Sequence, residues 1–147
     1  MKKQKAQTPS GELFTQLILE TFRFNGLLIA GGDQVVNDLG LTSALWQVLG
    51  AVGEAPLPMA QIARKMGLTR QSVRRTANVL MDKGLVEFQD NPDHRRAKLV
   101  VMTKQGRNVL EKTKKIQIDW SNRIAQDLSS EELKTAVQII RALCDRL

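Results

Sequence analysis

The sequence predicts a mainly α-helical domain with one small β-hairpin. Apolar residues recur at helical spacing over most of the 147 residues. Two short apolar runs, at 85–88 and 99–102, flank a turn-rich charged stretch, which is the pattern of a hairpin. With 42% apolar and 25% charged residues, the composition is that of a globular chain long enough to bury a core.

The N-terminal part is predicted to form a tail and two helices. Residues 1–10 are polar and are expected to be mobile. Helical spacing begins at Glu12, and Gly31–Gly32 is expected to end or loosen that helix. Thr42 is a suitable N-cap for a second helix, which Gly53 would close.

Two short helices separated by a glycine come next. Pro58 suits the first turn of one helix, and Gly67 is a natural left-handed cap at its end. Thr69 offers its hydroxyl as N-cap of the other helix, which Lys83–Gly84 would terminate with a cation and a glycine.

A hairpin and two further helices complete the chain. The strands are expected at Leu85–Phe88 and Leu99–Met102, with a protruding tip between them. Thr103 would cap a long helix, and Ser129–Glu132 has the form of a capping box that opens the last helix. Two short helices joined by a glycine turn and followed by a hairpin describe a winged helix-turn-helix.

The second helix of the pair has two chemically distinct faces. At about 100° per residue, Val73, Ala77 and Leu80 fall within one arc, which predicts an apolar face docked on the preceding helix. Arginine can bond guanine bidentately, and glutamine or asparagine can do the same with adenine. These residue types occupy the far side of the helix: Gln71, Arg74, Arg75 and Asn78.

The start of this helix and the hairpin tip supply further candidate contacts to DNA. Thr69 and Ser72 lie where hydroxyl groups and free N–H groups suit a phosphate. Arg95 and Arg96 lie at the tip, from which a side chain reaches an adjacent minor groove and responds to its width. A solvated polar face with ordinary packing behind it is the alternative interpretation of the helix alone.

The charge distribution favours a polyanionic partner. Residues 61–107 contain eleven basic and four acidic side chains, whereas the rest of the chain is neutral in sum. The whole excess of +7 therefore belongs to the segment that holds the helix pair and the hairpin. This is the pattern expected when one surface faces nucleic acid.

Several classes of protein are excluded. The longest unbroken apolar runs have four residues, as at Leu27–Ala30, against roughly 20 for a membrane helix. No apolar segment follows the basic residues 1–5, so no signal peptide is predicted. The single cysteine forbids an internal disulfide framework and points to a reducing compartment. We therefore expect a cytoplasmic protein without a membrane partner.

The segment Leu57–Gly106 resembles the MarR family of transcriptional regulators (multiple antibiotic resistance regulator family). The family's motifs appear here as Lys83-Gly84-Leu85-Val86 at the helix exit, Arg95-Arg96-Ala97 at the end of the wing, and Met102-Thr103 with Gly106 at the start of the long helix. The resemblance covers almost the whole chain. It implies a homodimer whose N- and C-terminal helices pair, a pseudo-palindromic operator, and release from DNA by a small ligand or an oxidant.

One MarR-type domain is accordingly predicted over residues 1–147. Residues 11–32 and 104–147 would be dimerisation helices, and residues 42–103 the winged helix-turn-helix that binds double-stranded DNA. Apolar stripes on the first and last helices exceed what one small winged domain covers, which independently favours a homodimer. The expected function is a sequence-specific transcriptional regulator, most simply a repressor.

Some single residues carry alternative interpretations. Cys144 lies in helical register with apolar neighbours, which predicts a buried, inert thiol. His94 is interpreted as a DNA-contacting or solvated wing residue, because no ligand cluster surrounds it. Phe24, Trp46 and Trp120 could line a cavity for a small-molecule effector, although core packing is the simpler role for a helical aromatic.

Catalysis is not predicted, and a second class of function stays open. The chain has no glycine-rich phosphate loop, no catalytic triad and no metal-ligating cluster, so neither an enzyme, a cofactor nor a metal is expected. The alternative is a winged-helix module that docks an acidic protein partner. Such a partner would tolerate lysines anywhere on the face, whereas base reading needs the bidentate donors that residues 71–78 supply.

Overall fold

The computed structural model of the chain describes residues 6–147 and consists of helices with one small sheet. The helices are α1 (Pro9–Val36), α2 (Ser43–Ala51), α3 (Met59–Met66), α4 (Arg70–Asp82), α5 (Lys104–Ala125) and α6 (Ser130–Cys144), with a 3-10 turn at Asn37–Leu39. The strands are β1 (Leu57–Pro58), β2 (Val86–Gln89) and β3 (Leu99–Met102). The predicted mainly helical class with a hairpin is confirmed. In the described residues, no helix combines the length and apolar content that crossing a bilayer would require.

The described part of the chain divides into two compact units, the first ending at Thr113 and the second comprising residues 114–147. The first unit holds α1–α4, the sheet and the start of α5, and it contains the hydrophobic core. The second unit holds the end of α5 and all of α6.

The core of the first unit lies around α2. This helix packs against α1, α3 and α4, and its residues Val48 and Leu49 are fully buried. Ile62 of α3, Leu80 of α4 and Val100 of β3 are fully buried as well. α2 is therefore the element that connects the long N-terminal helix with the α3–α4 pair.

The sheet has three antiparallel strands in the order β1-β3-β2. Leu57 pairs with Val100 in one ladder, and Phe88 pairs with the same Val100 in the other. The sequence predicted β2 and β3 but not β1. A two-residue strand has no periodicity, and its existence depends on a partner about 40 residues further along the chain.

Most of the predicted helix boundaries are confirmed. The hydroxyl of Thr42 accepts a hydrogen bond from Leu45 N at 3.3 Å, and that of Thr69 accepts one from Ser72 N at 3.1 Å. Gly67 ends α3 in the left-handed conformation, with φ 64°. These signals are local, so the sequence alone sufficed to place them.

Four expectations are wrong or only partly tested. Of the expected mobile tail, residues 1–5 lie outside the described residues, while α1 already begins at Pro9. α1 also continues through Gly31–Gly32, because Gly32 is buried against Ser43. Ser129 stands at the N-cap of α6 without a side-chain cap hydrogen bond, so the capping box is not formed. Cys144 is exposed in the single chain, not buried.

Candidate nucleic-acid interface

α4 presents its polar face to solvent because its apolar face is fully used. Val73, Ala77 and Leu80 are fully buried, and α4 packs on α2 and α3. This confirms the two-faced helix that the sequence predicts. The predicted base-reading residues are all exposed: Gln71, Arg74, Arg75 and Asn78.

The N-terminus of α4 is capped by Thr69. Thr69 caps it by accepting from Ser72 N, and Val73 N donates to the carbonyl of Thr69 at 3.0 Å. Thr69 and Ser72 are both exposed. The first two N–H groups of the helix, at Arg70 and Gln71, precede the first intrahelical hydrogen bond and point along the axis.

A groove of about 600 Å³ lies between α4 and the wing. It brings together four of the predicted DNA-binding residues, namely Gln71, Arg74, Asn78 and Arg96. The other predicted residues do not line this groove: Thr69, Ser72, Arg75 and Arg95. Phe88 of β2 and Met59 of α3 contribute apolar surface to it.

Two basic residues of the groove, Arg70 and Lys98, are absent from the set that the sequence predicts. Arg70 falls on the flank of α4 that faces the wing, about 100° away from Gln71 on a helical wheel. The position of the wing beside that flank is tertiary information. The only sequence signal for either residue was its membership of the basic segment 61–107.

The wing is built from two consecutive turns. His94 N donates to the carbonyl of Asn91 at 3.2 Å, and Ala97 N donates to the carbonyl of His94 at 3.0 Å. Arg95 and Arg96 are the two central residues of the second turn, and both are exposed. These arginines therefore lie in the loop between β2 and β3, where the sequence predicted them.

An ion pair closes the base of the wing. Lys98 Nζ lies 3.3 Å from Asp90 Oδ1, between the end of β2 and the start of β3. Both side chains are exposed, so this pair orients the loop more than it stabilises the fold. Asn91 Oδ1 also accepts from Asp93 N at 3.0 Å, which holds the first turn.

Two other cations of the basic segment have structural partners. Lys65 Nζ donates to the carbonyl of Ala51 at 3.3 Å, and Arg107 Nη1 donates to the carbonyl of Gly53 at 3.3 Å. Both act at the C-terminal end of α2, where a helix dipole favours positive charge.

The arginines of α4 and of the wing tip are uncompensated. Within residues 6–147, no carboxylate forms an ion pair with any of them: Arg70, Arg74, Arg75, Arg95 and Arg96. Three of them, Arg70, Arg74 and Arg96, line the groove, and positive charge left without a partner on such a concave surface attracts a polyanion.

Three aromatic residues were considered as the lining of an effector cavity, and they occupy different environments. Trp46 is half-buried and packs against the core of the first unit. Phe24 lies on α1 with 57% of its surface exposed. Trp120 is half-buried on the part of α5 that belongs to the second unit.

In the described residues, no group of three or more His, Cys, Asp or Glu side chains could hold a metal ion.

The sequence is similar to a family model and to two known proteins. The model of the MarR family matches residues 39–97. The chain is 38% identical over 128 residues to the uncharacterized protein Rv2011c of Mycobacterium tuberculosis, covering 87% of this chain and 90% of that protein. It is 29% identical over 103 residues to the HTH-type transcriptional regulator TcaR of Staphylococcus aureus, covering 68% of each.

Among solved structures, the fold is similar to that of Sco3205, a MarR family transcriptional regulator from Streptomyces coelicolor in complex with DNA. The TM-score is 0.81 at 22% identity, and the match covers 100% of this chain and 93% of the other.

Proposed function

This chain belongs to the MarR family of transcriptional regulators, and from that premise we propose that it binds a pseudo-palindromic operator as a homodimer and represses transcription. One observation carries the proposal. The groove between α4 and the wing brings Gln71, Arg74 and Asn78 of α4 together with Arg96 of the wing, and within residues 6–147 no carboxylate forms an ion pair with either arginine. Repression then follows from occupying the promoter and blocking access of RNA polymerase.

In this proposal α4 enters the major groove. Gln71, Arg75 and Asn78 point away from the buried face of α4 and contact base edges. Arg74 lies on the flank that faces the wing. Thr69 and Ser72 bind phosphate at the N-terminus of the helix, which sets the register of α4 on the duplex.

The homodimer is supported by the apolar surface that the single chain leaves exposed. On α1, several large apolar side chains face solvent, with Phe22 72% exposed. On α6, in the second unit, Leu133, Val137 and Ile140 are exposed as well. Monomeric soluble proteins rarely leave apolar surface of this extent uncovered, so a second copy of the chain is the proposed cover. The dimerisation helices would be residues 11–32 and 104–147.

Relief of repression by a small ligand is the remaining part of the proposal. Trp46 supports it, because this residue lies at the contact of α1 with α2 and is only half-buried. Phe24 in the first unit and Trp120 in the second unit are each proposed as effector-contacting residues as well.

The test of the whole proposal is fluorescence anisotropy with a duplex from the region upstream of the chain's own gene. A salt series and a scrambled duplex as competitor are run in parallel. We expect a steep salt dependence, a clear preference for the upstream duplex, and two protomers per site. Weak and equal binding to both duplexes would contradict DNA reading and would favour an acidic protein partner.

The wing has its own expected result. Replacing Arg96 with alanine should weaken binding by about fivefold when an A-tract with a narrow minor groove flanks each half-site, and much less when the flank is G·C-rich. The reason is that a narrow minor groove concentrates negative potential, which an inserted arginine senses.

The matched control for Arg96→Ala is Lys112→Ala. It removes the same charge from an exposed position outside the basic segment 61–107. Equal losses of affinity on the two flanks for Arg96→Ala would remove the wing from minor-groove recognition. Anisotropy titrations on the two duplexes make the comparison directly.

A further inference from the structure

A hydrogen-bonded joint ties α1 to the N-terminus of α2. We define this α1–α2 joint as Ile29, Gly32 and Asp33 of α1 together with Ser43 of α2. Ser43 N donates to Asp33 Oδ1 at 2.6 Å, and Ser43 Oγ donates to the carbonyl of Ile29 at 2.8 Å. Ser43 is only 6% exposed. One residue of α2 thus makes two directional bonds to two successive turns of α1.

Each bond in the joint is favourable for a specific reason. Asp33 places a carboxylate at the first N–H of α2, where the helix dipole favours negative charge. The Ser43 hydroxyl would be a buried polar group without partner if it did not reach the Ile29 carbonyl. Thr42 caps the same helix through Leu45 N but does not bond to α1.

Gly32 allows the two helices to come this close. It is buried, and a Cβ at its position would overlap with Ser43 Oγ while lying 3.5 Å from Ser43 Cβ, which is ordinary van der Waals contact. The obstruction therefore comes from the hydroxyl alone. This explains why a glycine stands inside α1, where it otherwise weakens a helix.

The joint lies on the path between the proposed dimer helix and the recognition helix. α2 packs on both α1 and α4, so the position of α2 determines where α4 lies relative to α1. The apolar packing around the joint, in the buried cluster to which Val36 and Leu45 belong, is not directional and tolerates sliding. The two hydrogen bonds are directional and do not.

We propose that the α1–α2 joint is a positioning element that sets the separation of the two recognition helices in the dimer, and thereby the preference for one half-site spacing. This inference rests on the homodimer of the proposed function. A symmetric dimer that reads two major grooves on one face of the duplex binds half-sites one helical turn apart, about 34–36 Å, or a multiple of that distance. A dimer can bind a duplex with the wrong spacing only if the hydrogen bonds of the joint break. The free energy of these bonds is then lost from binding, which lowers the affinity for that duplex.

The experiment uses symmetric duplexes built from sequences that the wild-type chain selects from a randomised library. One or two base pairs are inserted or deleted at the centre, and affinities are measured by anisotropy. For wild type we expect one preferred spacing. For Ser43→Ala and Asp33→Ala we expect the ratio of affinities between preferred and altered spacing to fall by roughly threefold to tenfold, the worth of one hydrogen bond.

Two further variants separate positioning from stability. Thr42→Ala removes a cap of the same helix, so it should lower the melting temperature yet keep the wild-type spacing ratio. Gly32→Ala should lower the melting temperature through the overlap with Ser43 Oγ. The double variant Gly32→Ala/Ser43→Ala should recover most of that loss, yet keep the weakened spacing preference of Ser43→Ala.

The outcomes distinguish the two proposals. If the wild-type chain enriches no duplex, the proposed function fails and the joint has no role in it. If wild type enriches a duplex but shows no spacing preference, or if Ser43→Ala and Asp33→Ala keep the wild-type ratio, only the joint proposal is overturned. A double variant as unstable as Gly32→Ala would likewise contradict the steric account of Gly32.

Discussion

Replacing Gly106 with alanine is expected to destabilise the fold by about 3 kcal/mol or more, close to the limit for a single methyl group. Gly106 is buried in the first turn of α5, and an added Cβ would overlap with the backbone carbonyl oxygen of Leu85. That carbonyl accepts a hydrogen bond from Thr103 N at 3.1 Å, so it cannot move aside freely. Met102 Cγ, 3.1 Å from the same Cβ position, restricts movement on another side.

The matched control for Gly106→Ala is Gly50→Ala. Gly50 also lies in a helix, but it is exposed and no heavy atom is within 4 Å of an added Cβ. Helix propensity alone should then stabilise the protein by up to about 1 kcal/mol. Urea denaturation measures both variants at one fixed protein concentration, since the stability of the proposed dimer would depend on concentration. A Gly106→Ala midpoint equal to that of wild type would contradict the seating of α5 on Leu85.

Features that depend on a few neighbouring residues were predictable from the sequence. The caps at Thr42, Thr69 and Gly67 are examples, because each is formed by a side chain or a backbone conformation within three residues of the helix end. The two faces of α4 were predictable for the same reason. The spacing of Val73, Ala77 and Leu80 already determines which side of a helix is buried.

Features that depend on distant contacts were not predictable. Gly31–Gly32 carries the local signal of a helix end, yet α1 continues to Val36. Gly32 allows close packing on Ser43, eleven residues further along the chain, and it does not end the helix. β1 exists only because Leu57 and Pro58 pair with β3. The exposure of Cys144 in the single chain illustrates the same limit, since an apolar stripe does not say whether its own chain covers it.

The candidate site combines both kinds of information. Sequence reasoning found the residue types on α4 and the arginines of the wing, but it could not tell which flank of α4 faces the wing. That flank carries Arg70 and Arg74, whereas Arg75 lies outside the groove on the outermost side of the helix. Arg74 and Arg75 are adjacent in sequence but lie on different sides of α4. We therefore expect Arg75 to contact a base and Arg74 to contact a phosphate.

Replacing Arg75 with alanine is expected to weaken binding to the selected operator by about 1–3 kcal/mol and to relax the choice of base at one position of each half-site. On a wheel of about 100° per residue, Arg75 stands almost opposite the centre of the buried face of α4, so it points most directly into a major groove. It is exposed, and within residues 6–147 no carboxylate pairs with it. A guanidinium in that position can bond guanine O6 and N7 together.

Arg74→Ala is the matched comparison, because it removes the same side chain one position earlier. Arg74 lines the groove together with Arg96, so in the proposed complex its guanidinium would face a DNA backbone lying between α4 and the wing. We expect Arg74→Ala to weaken operator and scrambled duplexes alike and to lower the salt slope by about one, which is the signature of a lost phosphate contact. Anisotropy over a salt series, with every base substituted at each operator position, measures both effects. If Arg75→Ala instead weakened all duplexes equally, Arg75 would be the phosphate contact, and base reading by α4 would have to rest on Gln71 and Asn78.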